Sequence, residues 1–309
     1  MTNAHCTRGH EPTTVSFEVM PPRHPDAAPR FWATVGRLVA ARPDFMSVTY
    51  GAAGRDRASA RSVVSELVTS TPVPPIAHLT CVGTSPGEVA RVVSDYLDAG
   101  VRAFLALRGD PPAGDPRWRP ASGEVASATE LVTLIRRLEC RRCEEHPGAA
   151  LRAAVRPLTI AVAAFPAGNP AAGTTADQEV ERLLVKQAAG ASFAITQLFW
   201  EADTYLSFVE RARASGVTIP IVAGLLPPTD PSRLRRTQDL TGIEAPRALL
   251  DALSAAEGTD ALRLGVDEGA RLAGGILDGG APGLHLYTFN KAEPSLLLLE
   301  RLRLLDPVP

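Results

Sequence analysis

Cysteine is scarce in this chain, with four in 309 residues. That is too few for a disulfide scaffold, and a reducing compartment would keep them as thiols. Net charge is nearly absent, a formal −2, which leaves no broad basic face to neutralise nucleic-acid phosphates. No apolar run approaches the ~20 residues that span a bilayer. The opening MTNAHCTRGHEPT lacks the apolar stretch of a secretory signal. No Ser/Gly linker or long charge run divides the chain, and no GxGxxG follows a β-like run to mark a separate dinucleotide fold. These absences predict a cytoplasmic protein with a flexible tail at 1–13 and one domain over 14–309, with neither nucleic acid nor membrane as partner. Nothing in the sequence sets an oligomeric state.

Two local clusters invite other readings. Cys140 and Cys143 form a C-x2-C pair with His146 close by, but a structural zinc needs four ligands, usually from a second pair. Cys6 with His5 and His10 is a poor substitute, so two thiols at a helix end are expected, and no metal. Arg233, Arg235 and Arg236 read as the solvated face of a helix.

What the chain does have is a composition 45% hydrophobic and 21% charged, and eight short β-like runs. They are TVSFEVM (14–20), FMSVTY (45–50), IAHLTC (76–81), AFLALRG (103–109), LTIAVAAF (158–165), SFAITQLF (192–199), IPIVAGLL (219–226) and GLHLYTFN (283–290). Most are apolar almost throughout, as strands covered on both faces are. Amphipathic stretches of helical length alternate with them. One is 86–99, with Val89, Val92, Val93, Tyr96 and Leu97 on a stripe, and another is 177–189, with Val180, Leu183, Leu184 and Gln187. Helices near 231–240, 246–255 and 258–279 precede the last strand. The Pro-, Gly- and Arg-rich segments 111–125 and 144–157 read as loops.

This alternation predicts a single (β/α)8 barrel with extra helices before the eighth strand. Each run ends in or near a polar or aromatic residue: Glu18, Thr49, His78, Asp110, Phe165, Gln197, the Pro227-Pro228 turn and Tyr287. In such a barrel the C-terminal strand ends meet at one mouth, where active sites lie.

The strand ends sit inside longer strings: SFEVMPPR (16–23), SVTYGA (47–52), AHLTC (77–81), ALRGDPP (106–112), AITQLFW (194–200), GLLPP (224–228) and LHLYTFNKAE (284–293). In order and over nearly the whole chain, these resemble the methylenetetrahydrofolate reductase family. The resemblance implies a (β/α)8 barrel that reduces 5,10-methylenetetrahydrofolate to 5-methyltetrahydrofolate with NADH or NADPH, usually through bound FAD. It implies the bacterial catalytic form, without the added regulatory domain of eukaryotic relatives.

Opening the substrate's imidazolidine ring requires a proton for the departing nitrogen and leaves an iminium carbon that accepts hydride. A carboxylic acid in an enclosed mouth suits the first task, because burial raises its pKa toward working pH. Glu18 matches the family's acid, the plainer alternative being a Glu paired with Arg23. Asp110 would stabilise developing positive charge beside flavin and folate, or simply cap the loop that Pro111 and Pro112 stiffen. Gln197 offers a donor and an acceptor to a pterin edge, and Tyr287 and Phe289 offer surface to flat rings. Lys291 replaces the family's Arg, keeping the charge but not the planar fork.

For FAD, the resemblance assigns Thr49, His78, Arg108, Gly109, Asp110, Phe165 and Lys186. The strand-five loop and the next helix depart from the pattern. Phe165 stands for a tyrosine, Asn169 for a histidine, Glu179 for an Asp, and Arg182 for an Asn common in bacterial members. Thr237 replaces a Phe that packs on nicotinamide or folate in several bacterial members. Each lost hydrogen bond costs on the order of 1 kcal/mol. Two routes therefore stay open: hydride through FAD, or directly from nicotinamide to the iminium. Two other readings are a folate-binding or regulatory relative without turnover, and a flavin barrel of the proline-dehydrogenase type. The latter leaves Gln197 and Glu18 together unexplained.

Overall fold

The computed structural model describes residues 13–50, 57–109 and 119–305. Eight parallel strands close into a barrel: β1 (Thr14–Val19), β2 (Phe45–Val48), β3 (Pro75–Thr80), β4 (Ala103–Leu107), β5 (Thr159–Ala164), β6 (Phe193–Thr196), β7 (Ile221–Leu225) and β8 (Gly283–Tyr287). Each pairs with the next, and β8 returns to β1 with Ser16 opposite His285 and Glu18 opposite Tyr287. The helices of the outer ring are α1 (Ala28–Ala40), α2 (Arg57–Ser70), α3 (Pro86–Asp98), α4 (Ala128–Glu145), α5 (Pro147–Val155), α6 (Ala176–Ala188), α7 (Ala202–Ala214), α8 (Pro231–Thr241), α9 (Arg247–Ala255), α10 (Gly258–Asp278) and α11 (Ala292–Arg301).

Strand alternation sorts the side chains into two cores. Val15, Phe17, Val19, Ala77, Leu79, Phe104 and Ala106 pack outward with the helices in the main cluster, each large apolar side chain contributing roughly 1.5–3 kcal/mol on full burial. Ile76, Leu105, Ala161 and Ile195 face inward and fill the barrel together with Phe45 and Phe193. Above this plug the filling turns polar. His285, fully buried, lies between Ser16 Oγ, 2.8 Å from Nδ1, and Ser47 Oγ, 3.2 Å from Nε2. The Ser16 hydroxyl also reaches the Leu284 carbonyl at 3.2 Å, so each ring nitrogen has a serine hydroxyl within hydrogen-bond distance.

Helix starts follow local chemistry. Ser85 and Glu88 form a capping box at α3 with Pro86 in the first turn, and Thr175 and Gln178 form another at α6. Asp230 caps α8, which ends at Gly242 with φ 70°. One expected loop is a helix. Within 144–157, Pro147–Val155 forms α5, because proline at the first helical turn costs no hydrogen bond and Ala-Ala-Leu-Arg-Ala-Ala follows it. The 111–125 loop is irregular over its described part, 119–125. Cys140 and Cys143 stand in the last turns of α4. Among the described residues no helix is long and apolar enough to cross a membrane.

Candidate active site

At the C-terminal end of the barrel, Glu18 points inward one layer above the Ser16–His285–Ser47 group. Its Oε2 lies 3.7 Å from His78 Nε2, which is buried and has no hydrogen-bond partner. Arg23, the partner weighed from sequence, is exposed and forms no ion pair with it. Burial pushes the Glu18 carboxyl up to about 7 and the His78 imidazole down to about 3. Near neutrality the pair is thus a half-protonated acid beside a neutral imidazole, a poised proton donor rather than a salt bridge. His285 is likewise held down near 3, by burial and then by His78.

Tyr287 crosses the mouth. Its hydroxyl donates to the Thr196 carbonyl at 2.6 Å, and its ring meets His285 edge-on at 5.5 Å. Burial, and next the nearby Glu18, raise its pKa. This crossing is possible only because residue 224 is glycine: a Cβ there would come 2.1 Å from Thr196 O and 2.6 Å from Tyr287 Oη. The hydroxyl therefore serves the barrel, leaving the ring for a ligand. Gln197 is partly exposed just past β6, and its Oε1 accepts the Leu198 N–H at 2.9 Å. One lone pair of the amide oxygen is thus used within the chain, leaving the other and the NH2 to a ligand.

The turn after β8 is unusual. Phe289 and Asn290 both have positive φ, 47° and 57°, a conformation costly for a phenylalanine. Asn290 Nδ2 donates to Met20 O at 2.7 Å while its Oδ1 accepts Met20 N–H at 2.9 Å. Thr288 Oγ1 donates to Glu18 O at 2.6 Å. These bonds lock the turn to the end of β1 and fix Phe289 relative to the acid. Sequence reasoning missed Thr288 and Asn290; the tolerance of Asn for left-handed backbone was the available signal.

Arg233 corrects another expectation. Arg235 and Arg236 are exposed, but Arg233 is partly buried, its guanidinium carbon 5.4 Å from the Phe289 ring centroid. Thr237, buried one turn on, donates to Arg233 O at 2.8 Å and presents no ring to a ligand.

The remaining sequence candidates divide. Thr49 lies just past β2, its amide tied to Val19 O. Arg108 is exposed, with Nε donating to Gly109 O at 3.3 Å. Gly109 turns the chain at φ 88° against Thr80, where a Cβ would sit at 3.0 Å. Asp110 lies outside the described residues. Phe165 and Lys186 meet on the β5–α6 side, away from Glu18's contacts. Lys186 Nζ donates to Ala163 O at 2.8 Å and lies 5.8 Å from the Phe165 centroid, and burial lowers its pKa to about 8.

The departing positions satisfy one another. Glu179 is 1% exposed, and its Oε1 accepts the Thr174 hydroxyl at 2.5 Å and Arg182 at 3.1 Å. Asn169 Oδ1 accepts Ala172 N–H at 3.3 Å to cap its own turn. A cavity of about 410 Å³ lies at the opposite barrel end, lined by Phe45, Phe193, Arg102 and Arg156. That end is the stability face.

Comparison with known proteins agrees with this geometry. The family model described as methylenetetrahydrofolate reductase matches residues 3–303. The 5,10-methylenetetrahydrofolate reductase of Escherichia coli K12 is 31% identical over 293 residues, 93% of this chain and 90% of that one. A probable methylenetetrahydrofolate reductase (NADH) of Oryza sativa is 29% identical, covering 95% of this chain and 49% of its own. Among solved structures, an uncharacterized Clostridium thermocellum protein that binds two copies of 5-methyl-5,6,7,8-tetrahydrofolic acid has the same fold. Its TM-score is 0.61 at 14% identity, covering 95% of this chain and 97% of that chain.

Proposed function

The chain belongs to the methylenetetrahydrofolate reductase family, and from that premise we propose that it reduces 5,10-methylenetetrahydrofolate by hydride passed directly from NADH or NADPH, with Glu18 as proton donor. The observation that carries the chemistry is Glu18, an acid held near neutral pKa at the barrel mouth beside an imidazole that stays neutral. Glu18 gives its proton to the departing ring nitrogen as the carbon–nitrogen bond breaks. The remaining nitrogen shares its lone pair with that carbon, forming the iminium, and hydride from nicotinamide C4 adds to it. The products are 5-methyltetrahydrofolate and NAD(P)+, and Glu18 regains its proton from solvent. Gln197 NH2 and the faces of Tyr287 and Phe289 orient the pterin. By its match to the family motif, we assign Asp110 the role of second carboxylate that stabilises the cationic carbon.

The β5–α6 segment does not fit FAD. The groups that would face it are already engaged: Glu179 with Thr174 and Arg182, Asn169 with its own turn, and Lys186 with Ala163 O. Phe165 carries no hydroxyl. Binding FAD there would compete with these part-buried bonds, of which those to Glu179 and from Lys186 are charge-assisted and worth about 1.5–3 kcal/mol each. Thr49, His78, Arg108 and Gly109 remain on the other side of the mouth to meet the nicotinamide dinucleotide.

The test is NADH and NADPH oxidation by purified protein with 5,10-methylenetetrahydrofolate, with a visible spectrum of the same sample and FAD added in parallel. Turnover without flavin bands, and without gain from FAD, is expected. Flavin bands or FAD-dependent activity would refute the direct route. No oxidation with either nicotinamide would turn the reading to a folate-binding relative without turnover.

A further inference from the structure

Barrel interiors are filled in layers, mostly by Val, Ile and Leu. Here three polar side chains from adjacent strands share a layer beneath the acid: Ser16 of β1, Ser47 of β2 and His285 of β8, all 0% exposed. Ser16 Oγ stands 2.8 Å from one ring nitrogen of His285 and Ser47 Oγ 3.2 Å from the other. The imidazole stacks on Phe45 at 5.7 Å and meets the edge of Tyr287 at 5.5 Å. Apolar groups of the same shape would cost the fold little or nothing, so stability alone does not call for the three polar groups. What hydrogen bonds add over apolar packing is direction: a fully satisfied buried network fixes one arrangement. The strands they join are those whose register sets Glu18 opposite both Ser47 and Tyr287.

We infer that His285, bonded to Ser16 and Ser47, is a positioning residue for the proton donor: it ties β8, β1 and β2 together beneath Glu18 and closes the floor of the mouth to water. The inference rests on the functional reading above and names what keeps its acid in place. Among the described residues the titratable groups that face Glu18 are His78 from β3 and Tyr287 from β8, and His285 lies close enough to His78 to feel it. Burial holds both imidazoles and the phenol neutral, so hydration of the floor, rather than a fixed countercharge, governs the Glu18 proton. An imidazole stripped of both hydroxyls would draw water into the layer, and Glu18 would then ionise more easily.

The experiment compares the double substitution Ser16→Ala/Ser47→Ala, His285→Phe and His285→Gln with wild type in the full-length chain. KM and kcat are measured from pH 5.5 to 8, with urea midpoints alongside. In the double variant the Glu18 pKa should fall by about one unit. Its kcat should therefore lie about tenfold below wild type at pH 8 and recover to within about threefold at pH 5.5, with KM for 5,10-methylenetetrahydrofolate within about twofold of wild type. His285→Gln, which keeps a donor and an acceptor, should retain more of kcat than His285→Phe, which keeps only the ring. An unchanged pH profile in the double variant would overturn the inference. So would a loss equal at every pH that follows a lowered urea midpoint, since that is what a purely structural layer gives. If wild type does not turn over, the functional reading fails separately, and the floor is still decided by ¹³C NMR of glutamate-labelled protein, with Glu18→Gln identifying the resonance. A lower Glu18 midpoint in the double variant would uphold the tie, and equal midpoints would refute it. Should the double variant fold poorly by circular dichroism, Ser47→Ala alone replaces it in every arm.

Discussion

Substituting Glu18→Gln tests the acid through stability as well as rate. The carboxyl is 20% exposed and sits near pKa 7 against an ordinary 4.5, because burial disfavours its charge. Its folded pKa is raised, so its contribution is fully present below pH 4.5 and is lost as pH rises through 7. At ~1.4 kcal/mol per pH unit, that window of two to three units is worth on the order of 3 kcal/mol. The substituted glutamine has the same shape and no charge, so it escapes this loss. His78 and His285 act in the opposite sense, weakening the fold as pH falls below 6.5, but they are present in both proteins and cancel in the difference. Urea unfolding of both proteins from pH 4.5 to 8.5 should show the stability of Glu18→Gln relative to wild type rising by about 3 kcal/mol. The wild-type kcat should fall about tenfold per pH unit above 7, and the variant should lose turnover strongly while still binding folate. Parallel stability profiles would refute the raised pKa, and near-wild-type turnover would refute the acid.

Three further outcomes follow from the same geometry. Gly224→Ala places a methyl group 2.1 Å from the Thr196 carbonyl and should cost about 3 kcal/mol, read by urea midpoint; a wild-type midpoint would mean that the Tyr287 crossing is not needed. Asn290→Ala removes both bonds to Met20 and puts a less suitable residue at φ 57°, so a loss of about 1–3 kcal/mol together with a fall in kcat is expected, and unaltered kinetics would uncouple the turn from Glu18. Imidazole ¹⁵N spectra should show neutral His78 and His285 from pH 8 down to pH 5; titration of either near 6.5 would contradict their burial.

The barrel was legible because buried parallel strands leave nearly unbroken apolar runs, and because polar residues such as Glu18 and Gln197 stand at their ends in regular order. Pro147 and Gly148 misled, since they weigh toward a loop in any local window, whereas at a helix start they are permitted. Tyr287 was legible as a ring but not as a hydrogen-bond donor, because its partner lies 91 residues away. The bonds of Thr288 and Asn290 were hidden for the same reason, their partners lying 270 residues earlier. Arg233 sits in a cluster whose composition says surface; only the packing of α8 over the β8 turn separates it from Arg235 and Arg236. At Glu179 and Arg182 the substitutions themselves could be read, but their mutual pairing could not.

The chain contains only two lysines, Lys186 and Lys291. One is buried against the Ala163 carbonyl, and the other is 47% exposed at the rim. Apart from the terminal amine, an amine-directed reagent therefore has one accessible target, placed where reactants enter. A fluorophore or ¹³C-methyl group attached there would report ligand arrival in the unmutated protein, and protection of that amine by folate would map the rim without a single engineered residue.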